Sequence, residues 1–519
     1  EADPVIIMFG DEKITVVKGP TNDHLTKDNA MIFVGKTSML RKIKFDAKIS
    51  GNMNGLVAEA CWKSCMDSLN ETTGGIVPLH ANKYKLLSLP ETRSRYTSIS
   101  NAHVLTNELK DMKLPETCKD LRVILVCEYA HTMSLTAAVA RVFPLYSRKQ
   151  KFTPINIVIE IVCLDKEITP IDITMLTDLS CAIRTTARLC DTPANELTTD
   201  AYVEEALAIA KKLEVKSTVI KGEELLKKGF GGIYSVGKAG PTPPAFVVLS
   251  HTPNGATDTY ALVGKGIMYD CGGMHLKSTT NMLGMKRDMS ASAALLGAFY
   301  SLVKGKFTQN LHLCLCIAEN NISPLANKPD DVITLLSGRT VEITNTDAEG
   351  RIVLADGVFY AKETLKANHI LNMATLTGAQ VYMTGKTHAA VMCSQEESET
   401  KTTIAGFNSG DLVHPMIYAP DMHAIDLHSP VADMNNANWG AVENLLPPRS
   451  TAAALFIGSN IDYGKDVDWV HVDMLAPSHC QGRSTAWGVS FVVTLLGGMT
   501  TSPLLKSLTQ KMPMVTSRE

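Results

Sequence analysis

The chain has 519 residues, of which 45% are hydrophobic and 20% charged, and its formal net charge is -3. This length predicts more than one domain, with cores large enough to need no disulfides. So small a net charge gives no reason to expect a nucleic-acid or anionic-membrane partner. The apolar run at residues 488–499 is too short to span a bilayer. The 12 cysteines form no regular framework and are expected to be free thiols.

Short strands and helices alternate in the first third of the chain. Residues 122–127 form a β-rich apolar run, and residues 133–143 follow with helical spacing. Residues 155–163 alternate isoleucines along one face, which predicts a second strand. These elements predict a small α/β domain.

A helical pattern over residues 171–189 separates this region from the rest. It ends at Asp191-Thr192-Pro193, and helices usually stop before a proline. We therefore expect an N-terminal α/β domain over residues 1–168, a linking helix over 169–192 and a larger C-terminal α/β domain over 193–519.

Strand-like and helix-like segments alternate regularly in the C-terminal region. The predicted strands cover 245–249, 260–263, 311–317, 370–375 and 469–474, and the predicted helices cover 291–303 and 351–365. This order predicts a mixed, mostly parallel sheet covered by helices. Sites in such sheets form at the carboxyl ends of the strands.

Acidic side chains concentrate where the predicted strands give way to helices. The four acids are Asp270, Asp288, Asp347 and Glu349. Neighbouring carboxylates repel one another unless a cation lies between them, and carboxylate oxygens suit hard to borderline divalent ions. Gly350 is expected to let the chain turn into a helix that starts near Arg351. The plainer interpretation, solvated loop acids that form caps and turns, explains any one of these acids but not all four.

Residues 345–351, Asn-Thr-Asp-Ala-Glu-Gly-Arg, resemble the signature of the leucine aminopeptidase family, the cytosolic hexameric metalloexopeptidases. Further segments that resemble the family in the same order are 191–195, 263–266, 270–273, 277, 285–289 and 374–378. The resemblance covers residues 177–496. The N-terminal third is similar only to an animal branch of probable aminopeptidases with nematode members.

The resemblance implies a site for two divalent metal ions, Zn²⁺ or Mn²⁺, with Mg²⁺ as a further candidate. The residues implied for the tighter ion are Lys265, Asp270, Asp288 and Glu349. Those implied for the looser ion are Asp270, Asp347 and Glu349, so Asp270 and Glu349 would bridge the two. A lysine amine is an unusual ligand because it must first lose its proton.

The same resemblance implies the remaining roles. Lys277 would stabilise the developing oxyanion, and Arg351 would hold a bicarbonate ion that serves as general base. Met285, Thr375 and Gly378 would line an apolar pocket for the N-terminal side chain of the substrate. The implied protein is a cytoplasmic homohexamer, a dimer of trimers, that removes leucine-like aliphatic residues from short peptides.

Several positions depart from the family pattern. Ser290-Ala291-Ser292 stands where the family usually has two glycines, and a Cβ there would cost energy if either glycine had a positive φ. Cys271 replaces the usual Ser or Thr, and His275 is expected to face the same way as Lys277 if both lie on a strand. The loop at residues 438–449 is less rich in glycine and serine than its family counterpart. These changes motivate an alternative, a hexameric structural or binding pseudoenzyme of the same fold.

Overall fold

The computed structural model describes residues 12–20, 29–437 and 449–509. The chain forms two compact units. Unit 1 comprises Glu1–Thr185, Ile404–Leu412 and Ser490–Glu519, and unit 2 comprises Thr186–Thr403 and Val413–Val489. The division after Thr185 falls inside the helix that was predicted to link two domains. The predicted boundaries at residues 168 and 192 stay a prediction.

Unit 1 is built on a sheet that has six strands among the described residues. They are β1 (Ile14–Lys18), β2 (Ala30–Lys36), β3 (Gly75–His80), β4 (Tyr84–Leu89), β5 (Asp120–Cys127) and β6 (Asn156–Cys163). Their order is β1-β6-β5-β2-β4-β3, and every neighbouring pair is parallel except β3 with β4. Strand β4 is buried at every position, as expected for a strand covered on both faces. The helices of its Glu1–Thr185 segment are α1 (Thr37–Leu40), α2 (Ala47–Asn52), α3 (Glu59–Asp67), α4 (Ala102–Asp111), α5 (Thr132–Ala140) and α6 (Pro170–Asp191), the last of which continues into unit 2.

Unit 2 carries a larger sheet. Its strands and the short strands beside them are β7 (Lys216–Lys221), β8 (Ala245–His251), β9 (Thr259–Asp270), β10 (Asn310–Asn320), β11 (Val332–Thr334), β12 (Thr340–Glu342), β13 (His369–Ala374), β14 (Ala389–Cys393), β15 (Val413–Pro415), β16 (Met434–Asn435), β17 (Asp468–Asp473), β18 (His479–Cys480) and β19 (Arg483–Ser484). The described strands of the main sheet run in the order β15-β14-β17-β13-β9-β10-β8-β7. The central four, β17, β13, β9 and β10, are mutually parallel. The predicted mixed, mostly parallel sheet is confirmed.

The remaining helices follow in chain order. They are α7 (Thr199–Leu213), α8 (Glu223–Lys227), α9 (Gly231–Gly237), α10 (Thr279–Met282), α11 (Ser290–Lys304), α12 (Glu349–Glu363), α13 (Ala379–Thr384), α14 (Glu396–Ser409), α15 (Pro420–His423), α16 (Arg449–Ser459), α17 (Val489–Leu496) and α18 (Pro503–Leu508). Short 3₁₀ turns occupy Tyr129–His131, Met285–Arg287, Ala424–Leu427, Asp462–Gly464 and Gly497–Met499. Within the described ranges, no helix combines the length and apolarity needed to cross a bilayer.

Glycines let two helices approach the centre of the unit 2 sheet. A Cβ on Gly264 would lie 2.6 Å from the Cα of Ser292 in α11, and a Cβ on Gly357 in α12 would lie 2.6 Å from Val263 Cγ1. Residues 263 and 264 are consecutive on β9, so they face opposite sides of the sheet. Helices α11 and α12 therefore cover the two faces of the strand that ends at Asp270.

Candidate metal centre

The acidic residues of the predicted site lie where strands β9 and β10 end. Asp270 is the last residue of β9, and its neighbour in the parallel register is Asn320, the last residue of β10. Asp288 directly follows the 3₁₀ turn Met285–Arg287, and Glu349 is the first residue of α12. Asp270, Asp288 and Glu349 are almost completely buried. With Asp347, two residues before Glu349, four carboxylates from three stretches of the chain therefore share one edge of the sheet.

Two lysines lie among these carboxylates. The Lys265 Nζ is 2.7 Å from Asp288 Oδ2 and 2.8 Å from Glu349 Oε1, and it donates to the carbonyl of Thr375 at 3.1 Å. Lys265 falls outside the predicted strand 260–263 but lies inside β9, because β9 continues seven residues beyond residue 263.

The second lysine contacts the other carboxylates. Its ammonium, the Lys277 Nζ, is 2.8 Å from Asp270 Oδ2 and 2.5 Å from Asp347 Oδ1. Asp270, Asp347 and Glu349 each offer one oxygen within 4.8 Å of the other two, which is compatible with a shared cation. The structure thus brings together all five predicted metal ligands and Lys277.

Neutral side chains fix the carboxylates. Asn320 Nδ2 donates to Asp270 Oδ1 at 2.8 Å and to the carbonyl of Thr346 at 3.1 Å. Thr375 Oγ1 donates to Asp288 Oδ1 at 2.9 Å. Sequence reasoning did not identify Asn320, although a polar residue just past the predicted strand 311–317 was a usable signal. These hydrogen bonds orient the remaining carboxylate oxygens towards the centre of the site.

Burial and mutual repulsion shift the titration of the acids. Burial, together with the nearby carboxylate of Asp270, raises the pKa of Asp288 to about 6 and that of Glu349 to about 8. Burial and Asp270 also raise the pKa of Asp347. Burial alone would lower the pKa of Lys265 and of Lys277, but the surrounding carboxylates raise both above the usual lysine value.

The donor set fits divalent cations. Four carboxyl groups face only two lysine ammonium groups in a largely buried volume, so the acidic groups outnumber the cationic groups that could neutralise them. Asp288 Oδ2 and Asp347 Oδ1 are buried and have ion pairs to lysine, yet neither accepts a hydrogen bond of normal geometry. Buried anionic oxygens in excess of their donors are stabilised by metal ions.

Arg351 lies two residues after Glu349, in the first turn of α12. Its Nη1 donates to the carbonyl of Asn436 at 2.8 Å, and its Nε is buried without a hydrogen-bond partner. Burial lowers the pKa of Arg351 to about 10, so the guanidinium stays charged at neutral pH. Asn436 also accepts from the backbone N–H of Thr344 at 2.8 Å and of Asn345 at 3.1 Å. Arg351 is therefore anchored to the segment that supports Asp347.

Two regions of the chain match families of known proteins. Residues 184–496 match the catalytic domain of the cytosol aminopeptidase family, and residues 29–152 match the M17 aminopeptidase N-terminal domain 2. The chain belongs to the cytosol aminopeptidase family. This membership implies divalent metal cofactors, and the acidic cluster fits such a site.

Relatives of the family resemble the chain over almost its whole length. Leucine aminopeptidase 1 of Caenorhabditis elegans is 50% identical over 92% of this chain and 96% of its own. The human probable aminopeptidase NPEPL1 is 41% identical over 92% of this chain and 91% of its own. The similarity to these relatives shows that the chain is a peptidase and therefore a hydrolase.

Solved structures agree with this family. The Caenorhabditis elegans leucine aminopeptidase structure aligns with a TM-score of 0.90 at 48% identity, covering 95% of this chain and 99% of that one. A Trypanosoma brucei leucyl aminopeptidase in complex with bestatin aligns with a TM-score of 0.81 at 30% identity, covering 93% and 95% of the two chains. The two-domain α/β family fold is thereby confirmed.

The family's usual glycine pair is replaced by a regular helix start. Ser290, Ala291 and Ser292 open α11, and none of them has a positive φ. Ser290 Oγ donates to the carbonyl of Arg287 at 2.6 Å, and Ser292 Oγ donates to that of Met289 at 2.8 Å. The strain considered for these positions is therefore absent, since helical backbone accepts a Cβ.

Room for Ser292 comes from its neighbours. A Cβ on Gly266 would lie 3.3 Å from Ser292 Oγ, and Gly264 is likewise in close contact with this residue. The Tyr202 hydroxyl is 2.9 Å from Ser292 Oγ, and both side chains are fully buried. Ser292, at the start of α11, thus packs against α7 and β9.

Other sequence expectations need correction. Gly350 lies within α12 and has no positive φ, so it does not turn the chain into a helix at Arg351. Its importance is space, because a Cβ there would lie 2.6 Å from Lys265 Cε. His275 lies in a loop rather than on a strand. Cys271 is buried with its Sγ 3.9 Å from Asn321 Oδ1, and burial raises the pKa of its thiol.

The structure gives the positions of the three residues predicted to line the substrate pocket, but most of the altered loop lies outside the described residues. Thr375 is buried and directed to Asp288. Met285 begins the 3₁₀ turn before Asp288, and a Cβ on Gly378 would meet open space. The altered loop falls mostly at residues 438–448, outside the described residues. The pocket stays a prediction.

Proposed function

We propose that this chain is a metal-dependent aminopeptidase that removes leucine-like aliphatic residues from the N-termini of short peptides. The observation that carries the proposal is the convergence of Lys265, Lys277 and the four carboxylates at one edge of the sheet. The names of the relatives, leucine aminopeptidase and probable aminopeptidase, support it.

The proposed ligands are those implied by the resemblance. Lys265, Asp270, Asp288 and Glu349 would hold one ion, and Asp270, Asp347 and Glu349 the other. When bound, the two divalent ions, Zn²⁺ or Mn²⁺ with Mg²⁺ as a further candidate, would polarise the scissile carbonyl and activate a water molecule. Lys265 would act as the neutral amine, because an ammonium has no electron pair to donate.

The chain's own cations would complete the chemistry. Lys277, held between Asp270 and Asp347, would donate to the oxyanion that develops on the scissile carbonyl. Arg351 carries its positive charge within one helical turn of Glu349, and its unpartnered Nε is available to a bicarbonate ion acting as general base. Neither role requires a further titrating side chain.

Specificity for a free N-terminus would follow from the metal ions of the proposed site. The α-amine of a peptide, in its neutral form, carries an electron pair that a divalent ion held by these carboxylates would bind. An acetyl group would remove the electron pair of that amine. Hydrolysis of leucine amide with undetectable hydrolysis of N-acetyl-leucine amide, in the presence of Mn²⁺ or Zn²⁺, tests the proposal. Equal turnover of the two compounds contradicts it.

Inhibitors seen with relatives give a second test. Bestatin occupies a Trypanosoma brucei leucyl aminopeptidase, and actinonin a Leishmania major one. We expect both compounds to inhibit this chain competitively. The pocket of Met285, Thr375 and Gly378 would receive the side chain of the residue that is removed.

The alternative of a structural or binding pseudoenzyme has lost its main motive. It was motivated by the Ser290-Ala291-Ser292 change together with Cys271 and the altered loop, and the strain expected from the first of these is absent because Ser290 and Ala291 are helical without a positive φ. We therefore keep the active enzyme as the proposal. A homohexamer, arranged as a dimer of trimers, and a cytoplasmic location are proposed on the resemblance alone.

A further inference from the structure

The loop that carries Lys277 is a closed turn after strand β9. Gly272 and Gly273 have φ values of +91° and +66°, which favour glycine. The backbone N–H of Lys277 donates to the carbonyl of Cys271 at 2.9 Å, which closes the loop. The closed loop thereby places Lys277 next to Asp270. We refer to residues 271–277 as the lysine loop.

Three short hydrogen bonds join the lysine loop to Thr346, the residue before Asp347, beside a longer contact of 3.3 Å between His275 Nδ1 and Thr346 Oγ1. The His275 backbone N–H donates to Thr346 Oγ1 at 2.8 Å, and that hydroxyl donates to the carbonyl of Gly272 at 2.6 Å. The third bond runs from the Thr346 backbone N–H to His275 Nδ1 at 3.1 Å. The first two use backbone groups of the loop, so they are open to any residue at position 275. The third requires an acceptor on the side chain.

The hydrogen bond from the Thr346 backbone N–H determines the tautomer of His275. A backbone N–H can only donate, so Nδ1 must carry the lone pair and Nε2 the proton. The imidazole is otherwise exposed, and its Nδ1 reaches a backbone group beside the metal centre. Residue 275 must therefore carry a hydrogen-bond acceptor at the δ position of its side chain.

We infer that His275 is a positioning residue, whose Nδ1 holds the segment of Asp347 against the lysine loop. Thr346 directly precedes Asp347, and Asp347 contacts Lys277 at 2.5 Å. Loss of the bond would leave the N–H of the buried Thr346 without its acceptor, and the Asp347 carboxylate would be held less firmly beside the Lys277 ammonium. His275 touches neither substrate nor metal in this role. The inference rests on the proposed function of Lys277 and Asp347.

Side-chain isosteres give a matched test. In His275→Asn the amide oxygen takes the place of Nδ1, whereas in His275→Gln the oxygen takes the place of Nε2. His275→Ala removes the acceptor altogether. We expect the Ala and Gln variants to lower kcat for leucine amide about tenfold with KM changed less than about twofold, since small displacements of catalytic groups reduce rates steeply. The Asn variant should stay within about twofold of the wild type.

A second readout does not need turnover. Competition between the protein and a fluorescent chelator measures the affinity of the weaker Mn²⁺ site, which the inference places partly on Asp347. The Ala and Gln variants should bind this Mn²⁺ about tenfold more weakly than the wild type and the Asn variant. Wild-type kcat and Mn²⁺ affinity in His275→Ala, or equal behaviour of Asn and Gln, would overturn the inference.

The two readouts separate the inference from the proposed function. A wild-type protein that binds Mn²⁺ but turns over no substrate in any metal defeats the proposed function. In that case the order of Mn²⁺ affinities in the three variants still decides whether His275 positions the segment of Asp347.

Discussion

A missing methyl group at residue 350 makes room for the Lys265 side chain. A Cβ at Gly350 would lie 2.6 Å from Lys265 Cε, 2.7 Å from Lys265 Nζ and 2.9 Å from Leu376 Cδ1. The end of a lysine usually moves aside easily, but here Asp288 and Glu349 hold it. The helix itself would accept alanine, so the constraint at this position belongs to the site.

Gly350→Ala should therefore damage the metal centre more than the fold. We expect at least a tenfold loss of kcat for leucine amide, with a destabilisation of about 1–3 kcal/mol from overpacking. Glu363→Ala, an exposed position on the same helix, is the matched control and should keep wild-type kcat. Activity in Gly350→Ala equal to that of the control would show that Lys265 need not occupy its present place.

A buried histidine in the same unit has a fixed protonation state. Trp469 Nε1 donates to Asn372 Oδ1 at 2.7 Å, which orients the Asn372 amide. The amide nitrogen of Asn372 then donates to His471 Nδ1 at 2.7 Å, so His471 is an acceptor. Burial, assisted by the charge of Arg351, lowers the pKa of His471 to about 3. His471 stays neutral in the folded chain.

This depressed pKa predicts a loss of stability in acid. The unfolded histidine titrates near 6.5, so His471 contributes its full stability above that pH and loses it as the pH falls towards 3. Between pH 7 and pH 5 the contribution should fall by about 2 kcal/mol, at about 1.4 kcal/mol per pH unit. Urea unfolding of the wild type and of His471→Gln at both pH values checks this. A difference between the two proteins that does not change with pH would contradict it.

At the scale of elements, helix α11 begins with serines where the family usually has glycines, and the serine side chains form hydrogen bonds that glycine could not form. Ser290 and Ser292 bond the carbonyls of Arg287 and Met289, on either side of Asp288. Glycine in place of Ser290 and Ala291 would remove one of these bonds and add backbone entropy to the unfolded chain.

The double variant Ser290→Gly, Ala291→Gly should lose stability without gaining activity. We expect a cost of roughly 1–2 kcal/mol, at about 0.5–1 kcal/mol for each glycine in a helix. The kcat for leucine amide should not rise above the wild-type value. A severalfold rise would mean that the present residues tilt Asp288, as the pseudoenzyme alternative supposed.

Much of the fold could be predicted because its signals are local. The strands and helices of unit 2 follow from apolar periodicity, and the acids at strand ends follow from the alternating order of elements. The length of β9 could not be read in the same way, because a lysine between two glycines does not look like a buried strand. Its stability there comes from ion pairs with Asp288 and Glu349, which are distant in sequence.

The parts of the site that were missed depend on contacts between distant segments. Asn320 acts through its register with Asp270, and His275 through a bond to Thr346. Gly350 matters because of Lys265, 85 positions earlier in the chain. No local sequence pattern predicts contacts between such distant residues. The metal ligands could be predicted because the sequence resembles a known family.

At the scale of the whole molecule, the assembly is the main prediction. The proposed homohexamer would have a mass of about 340 kDa, six times the 56.2 kDa of the chain. Exposed apolar side chains such as Leu283, Tyr382 and Ile425 are the kind of surface that subunit contacts bury. Light scattering coupled to gel filtration measures this mass directly. A single species near the mass of one chain would contradict the hexamer.

The most direct test of the central claim is the dependence of turnover on bound metal. Protein stripped with a chelator should not hydrolyse leucine amide, and titration with Mn²⁺ should restore the activity as bound metal approaches two ions per chain. Asp347→Asn and Glu349→Gln should each reduce both the bound metal and the recovered rate. Turnover that survives complete removal of metal, or no turnover in any divalent ion despite full occupancy, would contradict the account.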